Sequence, residues 1–383
     1  MAGATNDARD GVMIVCRNRS AGRRYGGWRA LTRAGAFAAA TVLFAAALCG
    51  QAGAQPNTVD PASGNVFVSG GAVPFDVGSR FMQRINANAL LRNAASAGNN
   101  AGGGGGDEPS RERYRAWLEG YGLAARTGPQ GEFPGDRRTT WGGIAGGGAM
   151  VAPGVSVGLS ADQSRTKIDV TGLAQSGRID LTQVGLSAAV ERGPWAFGAT
   201  LIHGTGVIKS SRFEGGESIA SYRARLWGAM AELSRYWSLP GNARLVPKLG
   251  VDWMWSRTGS FTETGGVAPI TGSGVTATRV RVMAGAEVGR TWAADRVLFD
   301  VAVHGRLVNN AVQDVGALEV SLASGAGAAA AIAGVRESTL GADAGAAFSA
   351  RVSENVRLYA IYDGRFRSRF TSHGGTLGAE VRW

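Results

Sequence analysis

Gly154-Val155-Ser156-Val157-Gly158 has the G-x-S-x-G spacing that sets a nucleophilic serine on a sharp strand-to-helix turn beside a base. Here Val155, Val157 and Leu159 continue a two-residue alternation, so the serine belongs to a strand and no elbow forms. Gly325-Ala326-Gly327-x-x-Ala330 has the glycine spacing of a dinucleotide-binding turn, but no strand-helix-strand unit flanks it, and it reads as flexible loop. His203, His304 and His373 lie far apart with no His-Glu-x-x-His or Cys/His ligand spacing, so neither a metal nor a cofactor is expected. One catalytic combination remains, His203 with Ser210 or Ser211 acting on an ester; a lone interfacial histidine is the simpler reading.

The elements around these residues are unusual in composition. Sixty glycines against 11 prolines, with 10 tryptophans in 383 residues, suit an all-β protein better than helices around an oily core. Both cysteines, Cys16 and Cys49, fall in an amino-terminal segment with the parts of a secretory signal peptide. Arg17 to Arg33 form its basic region, 34 to 48 an apolar stretch too short to span a bilayer, and Ala52-Gly53-Ala54 the cleavage site. The mature chain then has no thiol, and so no disulfide. The long lead before Arg17 leaves Met13 as a second possible start. Arg23-Arg24 lacks a twin-arginine context and Leu48-Cys49 lacks a lipoprotein one, so ordinary Sec export is expected. Removing residues 1 to 54 takes away seven Arg and two Asp, leaving 33 basic and 27 acidic residues, a net +6 that makes no case for nucleic acid.

The organisation expected is a removed signal at 1–54, a short polar passenger-like segment at 55–75 with one possible strand at 65–69, and a helix at 76–97 carrying Phe81, Ile85 and Leu90 near one face. A Gly-rich linker follows at 98–112 and a barrel domain at 113–383. From about Arg111 the hydrophobic period is two. Leu245, Pro247, Leu249, Val251, Trp253 and Trp255 alternate with polar or small partners, and the final Leu377, Ala379, Val381 and Trp383 alternate with Thr376, Gly378, Glu380 and Arg382. Twelve such segments fall near 115–126, 138–151, 154–164, 178–191, 194–206, 218–237, 243–257, 275–292, 296–309, 335–352, 355–367 and 373–383.

Connections after the even segments are tight, while those after odd segments are long and Gly-rich except the last, with 310–334 the longest. Sorting of this kind, with an even strand number, is the pattern of an outer-membrane barrel with short periplasmic turns and long outer loops. The fold expected is all-β, a 12-stranded antiparallel transmembrane β-barrel with a short N-terminal pore helix. The apolar faces then meet lipid and the charged faces line a wet lumen. The lumen residues expected are Arg279, Arg281, Glu287, Arg296, Asp300, His304, Arg306, Arg357, Asp363, Arg365 and Arg367. Trp117, Tyr121, Trp195, Trp253, Trp255, Trp292, Tyr362 and Trp383 would form the interfacial girdles.

Over about residues 75 to 383 the chain resembles a type V autotransporter translocator domain. Trp117-Leu118-Glu119-Gly120-Tyr121-Gly122 is similar to that family's opening strand, Leu245-x-Pro247-x-Leu249-Gly250 to a mid-barrel strand, and Leu358-Tyr359-Ala360-x-Tyr362-x-Gly364 to the penultimate one. The resemblance implies a monomeric barrel in the Gram-negative outer membrane that translocates or displays its N-terminal segment at the cell surface and is not an enzyme. It also implies that Leu377, Ala379, Val381 and Trp383 are read by the barrel-assembly machinery after Sec export, with Trp in place of the more usual Phe. Only about 20 residues separate the signal site from the helix, and no repeat marks a passenger, so a passenger-less pore or surface adhesin is the alternative. Asn99-Asn100 lies near the position where some members cut themselves, but in a Gly-rich context that reads as linker.

Overall fold

The structure, a computed structural model, describes residues 59–97 and 113–383; the signal segment 1–54 and the linker 98–112 lie outside the described residues. Twelve long strands form one antiparallel sheet: β1 Tyr114–Thr127, β2 Asp136–Ala152, β3 Val155–Val170, β4 Gln175–Arg192, β5 Trp195–Phe213 and β6 Glu217–Arg235. The remainder are β7 Ala243–Thr258, β8 Thr276–Ala294, β9 Val297–Asp314, β10 Leu340–Arg351, β11 Val356–Arg367 and β12 Phe370–Arg382. Each strand pairs with its neighbours in sequence, and β12 pairs with β1 from Arg115↔Arg382 to Thr127↔Phe370, closing the barrel. Closure leaves no strand edge for lipid to meet.

The strands run past the ends set by the hydrophobic alternation. β3 reaches Val170 and β5 reaches Phe213, so their following connections shrink to 171–174 and 214–216; the long loops expected there are strand extensions with polar faces. The remaining large outer connections build a small sheet of their own in the order Ala330–Ala333, Ala317–Leu322, Ile270–Gly272, Phe261–Thr262. Gly325 and Gly327 turn the hairpin between its two longest strands with positive φ, so the dinucleotide-like glycines serve a turn. At the opposite end the connections are tight. At Pro153-Gly154 the glycine has φ 70° and a Cβ there would lie 2.4 Å from the Glu191 carbonyl oxygen, so only glycine fits the turn.

One helix, α1 Asn65–Ala97, occupies the barrel, preceded by a 3-10 turn Pro61–Gly64 that Asp60 caps through the Ala62 N–H at 2.9 Å. It starts eleven residues before the expected 76 and is 33 residues long rather than short; the possible strand at 65–69 is helical. Gly70, Gly71 and Pro74 read as breakers in the sequence, and enclosure by the barrel overrides them.

The lumen is not uniformly wet. Phe81, Met82 and Ile85 of α1 are at most 2% exposed and belong to one core with Ile168, Ile179, Leu181, Ile202, Ile208 and Leu226 from the inner faces of β3 to β6. The helix leans on this apolar wall. Along the charged wall of β8 to β12 it leaves a cavity of about 170 Å³ bordered by Arg80, Arg84, Glu287, His304, Arg306 and Asp363.

Aromatic rings of β1 also turn inward. Trp117 and Tyr121 are not girdle residues: Trp117 is 4% exposed and the Tyr121 hydroxyl donates to Asp162 at 2.8 Å. Their rings lie over glycines of β2, so that a Cβ at Gly146 would stand 2.2 Å from the Trp117 ring and one at Gly142 2.3 Å from Tyr121. Trp195, Trp253, Trp292, Tyr362 and Trp383 do face outward.

Gly146→Val is expected to overpack this contact and cost about 1–3 kcal/mol. Gly143→Ala, on the outer face with only the Glu119 carbonyl oxygen at 3.5 Å, is expected to be neutral. Urea unfolding of the refolded barrel measures both.

Candidate functional site: the occupied pore

The pore and the helix inside it are joined at three heights. At the mouth carrying the long loops, Gln175 donates to the Ala62 carbonyl at 2.8 Å and accepts the Val66 N–H at 3.1 Å, and Ser63 donates to Glu214 at 2.9 Å. Phe67 stacks on Phe261 of the small outer sheet, 3.8 Å between centroids. A Cβ at Gly64 would meet Ile332 at 2.0 Å, so the turn is held against the same sheet. Arg212 fixes that sheet to β5: it pairs with Glu263 at 2.6 Å and with Glu214, both Arg212 and Glu263 being almost fully buried, and Glu263 also accepts the Ile270 N–H.

At mid-height the charged wall reads the helix directly. Arg365 donates to Asp76 at 3.0 Å, to Ser79 at 2.9 Å and to Gln83 at 3.1 Å. Arg306 donates to Gln83 at 2.7 Å, and Arg279 to the Phe75 carbonyl at 3.0 Å. In the other direction, Arg80 of the helix reaches Ser372 at 2.7 Å.

Lower down, Glu119 gathers one end of the helix. Its carboxylate accepts Arg84 in a bidentate pair at 2.8 and 3.1 Å, Asn88 at 2.9 Å and the Tyr359 hydroxyl at 2.7 Å, while Arg115 donates to the Asn88 carbonyl. A buried carboxylate with four donors on it is fully satisfied, which is the condition for keeping a charge out of water.

Of the expected lumen residues, Arg279, Arg281, Arg365 and Arg367 are buried inside, and Glu287, Asp300, His304, Arg306, Arg357 and Asp363 are half-buried there. Arg296 is not among them. β8 ends at Ala294, Asp295 takes φ 52°, and Arg296 is exposed in the turn, so the two-residue count does not carry across it. Several wall residues pair among themselves: Arg281 with Asp252 at 2.5 Å, Arg367 with Asp343 at 2.9 Å, Arg357 with Glu380 at 2.6 Å, and Arg244 and Lys248 with Glu287 at 3.0 and 2.8 Å. The pore wall is therefore an interleaved set of ion pairs rather than a free cationic surface. Gln175, Glu119 and Arg115 went unnoticed in the sequence, although β1 alternation puts Arg115 and Glu119 on the face of Trp117.

The motifs weighed for catalysis separate in space. Ser156 faces inward on β3 and is 5% exposed. His203 bonds the Leu226 carbonyl at 3.0 Å and lies tilted against the Trp227 ring outside the barrel; Ser210 is on the other face of β5, and Ser211, eight residues along the strand, donates to Glu217. At roughly 3.3 Å per residue that is about 26 Å from the imidazole, far beyond hydrogen-bond reach. Among the described residues no group of three or more His, Cys, Asp or Glu side chains is placed to hold a metal.

On the terminal strand Leu377, Val381 and Trp383 are exposed on the outer face, Ala379 half so. Trp383 exchanges backbone hydrogen bonds with Tyr114 at 2.8 and 3.0 Å.

The chain is similar to known secretion domains. An autotransporter beta-domain family model matches residues 116–363. The translocator domain of the autotransporter NalP from Neisseria meningitidis superposes with a TM-score of 0.62 at 13% identity, over 83% of this chain and 99% of that one. The beta domain of the Bordetella autotransporter Brka gives 0.51 at 18% identity, over 71% and 100%. A search of curated proteins finds no match. The family match spans most of the chain and coincides with the closed twelve-stranded barrel around one helix: the protein belongs to the autotransporter beta-domain family, the outer-membrane translocator barrels of type V secretion.

Proposed function

We propose that this barrel carries the segment N-terminal to α1 through its own pore and then holds it at the cell surface, with α1 remaining in the lumen as a stopper. The observation that carries this reading is the direction of the helix. Its N-terminal end, with Ser63, Val66 and Phe67, is fixed among the outer loops, and Asn88 lies lower down at Glu119. A chain threaded this way presents whatever precedes Asp60 to the outside. Of the segment 55–75, residues 65–75 are helical in the pore, so display falls to the part before the 3-10 turn.

The role is transport rather than catalysis: the Ser/His combination expected from the sequence, His203 with Ser210 or Ser211, is split between two faces of one strand or far apart along it. Upstream, the proposal takes Sec export to deliver a monomeric barrel, with outer-membrane lipid around it and no nucleic-acid partner. The outward row of Leu377, Ala379, Val381 and Trp383 then serves as the element the barrel-assembly machinery reads, since this strand must find β1 for closure.

In intact cells, an epitope tag inserted after Pro56 is expected to be removed by external protease while the folded barrel survives. A tag that stays protected in a correctly inserted barrel would place the N-terminus in the periplasm and sink the translocation reading. In planar bilayers the mature chain is expected to pass little steady current; a large steady current from the intact chain favours the passenger-less pore instead. Glu119→Ala leaves Arg84 buried without its partner, a loss of about 3 kcal/mol or more, and should raise the unplugged population and the mean current roughly 100-fold at that cost.

A further inference from the structure

The outer surface of the barrel carries facing basic pairs on one side only. In antiparallel pairs the residues opposite each other share a face, with Cβ atoms about 5 Å apart. Lys167 of β3 stands opposite Arg178 of β4, and Arg178 opposite Lys209 of β5, all three on the outer face. Arg225 of β6 stands opposite Arg257 of β7, and Arg126 of β1 opposite Arg137 of β2. Like charges directly opposite each other destabilise a sheet, and here the arrangement occurs in three places along one side of the barrel.

The protein's own acids offset little of it. Asp180 bridges Arg165 at 2.5 Å and Arg178 at 3.3 Å, and Asp169 stands opposite Arg137. Arg126, Lys209, Arg223, Arg225 and Arg257 pair with no carboxylate among the described residues. On β8 to β12 the outward strand positions at the same end are the acidic Asp314 or uncharged residues such as Asn309, Leu340, Ala344, Phe366 and Thr371, and the basic Arg369 lies in the turn between β11 and β12.

Height decides what could neutralise the belt. On β7 the outward residues from Leu245 to Trp255 are apolar or aromatic. Ten residue steps at a 40° tilt rise roughly 25 Å, the height of an outer-membrane apolar band. Arg257 is the next outward residue, and Arg225 lies beside it just above Trp227. The belt thus begins where hydrocarbon ends, on the side of the long loops, at the depth of lipid headgroups.

We infer that the outer face of β1 to β7 is a docking surface for a phosphate-bearing saccharide lipid of the outer leaflet, its acyl chains along the apolar strands and its phosphates between the facing pairs Lys167/Arg178/Lys209 and Arg225/Arg257. Phosphate suits the spacing because one anion with several acceptor oxygens bridges basic groups on adjacent strands. Acyl chains suit it because the same strands continue downward as Leu159, Leu186, Leu201 and Trp253. The inference rests on the membrane setting of the family, not on whether any segment is translocated.

The test is binding of bisphosphorylated lipid A, and of the same lipid stripped of phosphate, to the refolded mature chain in neutral detergent. The wild-type chain is expected to bind the phosphorylated form alone. Lys167→Gln/Arg178→Gln/Lys209→Gln should weaken it by about fivefold for each basic residue removed near the surface, about 100-fold in all. Relief of the facing charges should leave the triple variant as heat-resistant as wild type, or more so, without lipid, which also shows that it folds. Equal binding of the stripped lipid, equally tight binding of phosphatidylglycerol, or a triple variant that binds within twofold of wild type each overturns the assignment.

Discussion

The seam between β1 and β12 is the constraint on which everything else rests. A strand edge in hydrocarbon would leave a row of unpaired amides, each costing several kcal/mol, so the sheet must close or not enter the membrane. Closure runs from Thr127↔Phe370 down to the mutual hydrogen bonds of Tyr114 and Trp383. The last residue of the chain is thus part of the ladder, and the strict alternation of its final residues follows: one face of β12 meets lipid and the other, with Glu380 and Ser372, meets the interior.

Closure in turn creates a lumen that has to be filled, and the barrel fills it in two different ways. Along β3 to β6 the inner faces add apolar side chains such as Ile168, Ile179, Leu181, Ile202 and Leu226 among small and polar ones, and α1 packs on these apolar side chains as on a protein core. Along β8 to β12 they are charged, and each charge has either a wall partner or a helix partner. Apolar packing holds the helix to one side without choosing its height. The directional contacts choose it: Arg365 on Asp76, Ser79 and Gln83, and Glu119 on Arg84 and Asn88, cannot all be made if α1 slides by a turn.

Much of this was legible in the sequence because a membrane barrel writes its outer face in apolar residues at period two. Twelve segments, their order and the tight turns at one end followed from that. The same rule misled where its premise failed. β5 has apolar residues on both faces, with Phe197 and Leu201 outward and Ile202 and Ile208 inward, because one side meets lipid and the other meets the helix, and its outer end past 206 was missed. Outer extensions such as Arg165 to Val170 leave the hydrocarbon and with it the apolar signal, so they read as loop. Gly70, Gly71 and Pro74 disfavour a helix in water but not inside a barrel wall, so the helix begins eleven residues before the expected 76. Trp117 and Tyr121 misled in the other direction, since an aromatic near a strand end is a girdle residue only if no glycine on the next strand makes room for it inside.

The asymmetry inside the barrel is the physical link between the stopper and the passage it closes. A helix held only by greasy contacts would leave a leak along its polar side, where the cavity of about 170 Å³ lies. Withdrawing α1 would strip Asp76, Arg84 and Asn88 from partners that are themselves buried, leaving Glu119 with the Tyr359 hydroxyl alone and Arg365 without its helix carboxylate. Breaking a buried pair from one side costs more than making it gained. Several such pairs at different heights make retreat cooperative: all are lost within the first few ångströms, and new ones do not form until the register repeats. Charge complementarity between helix and wall therefore fixes α1 at one register.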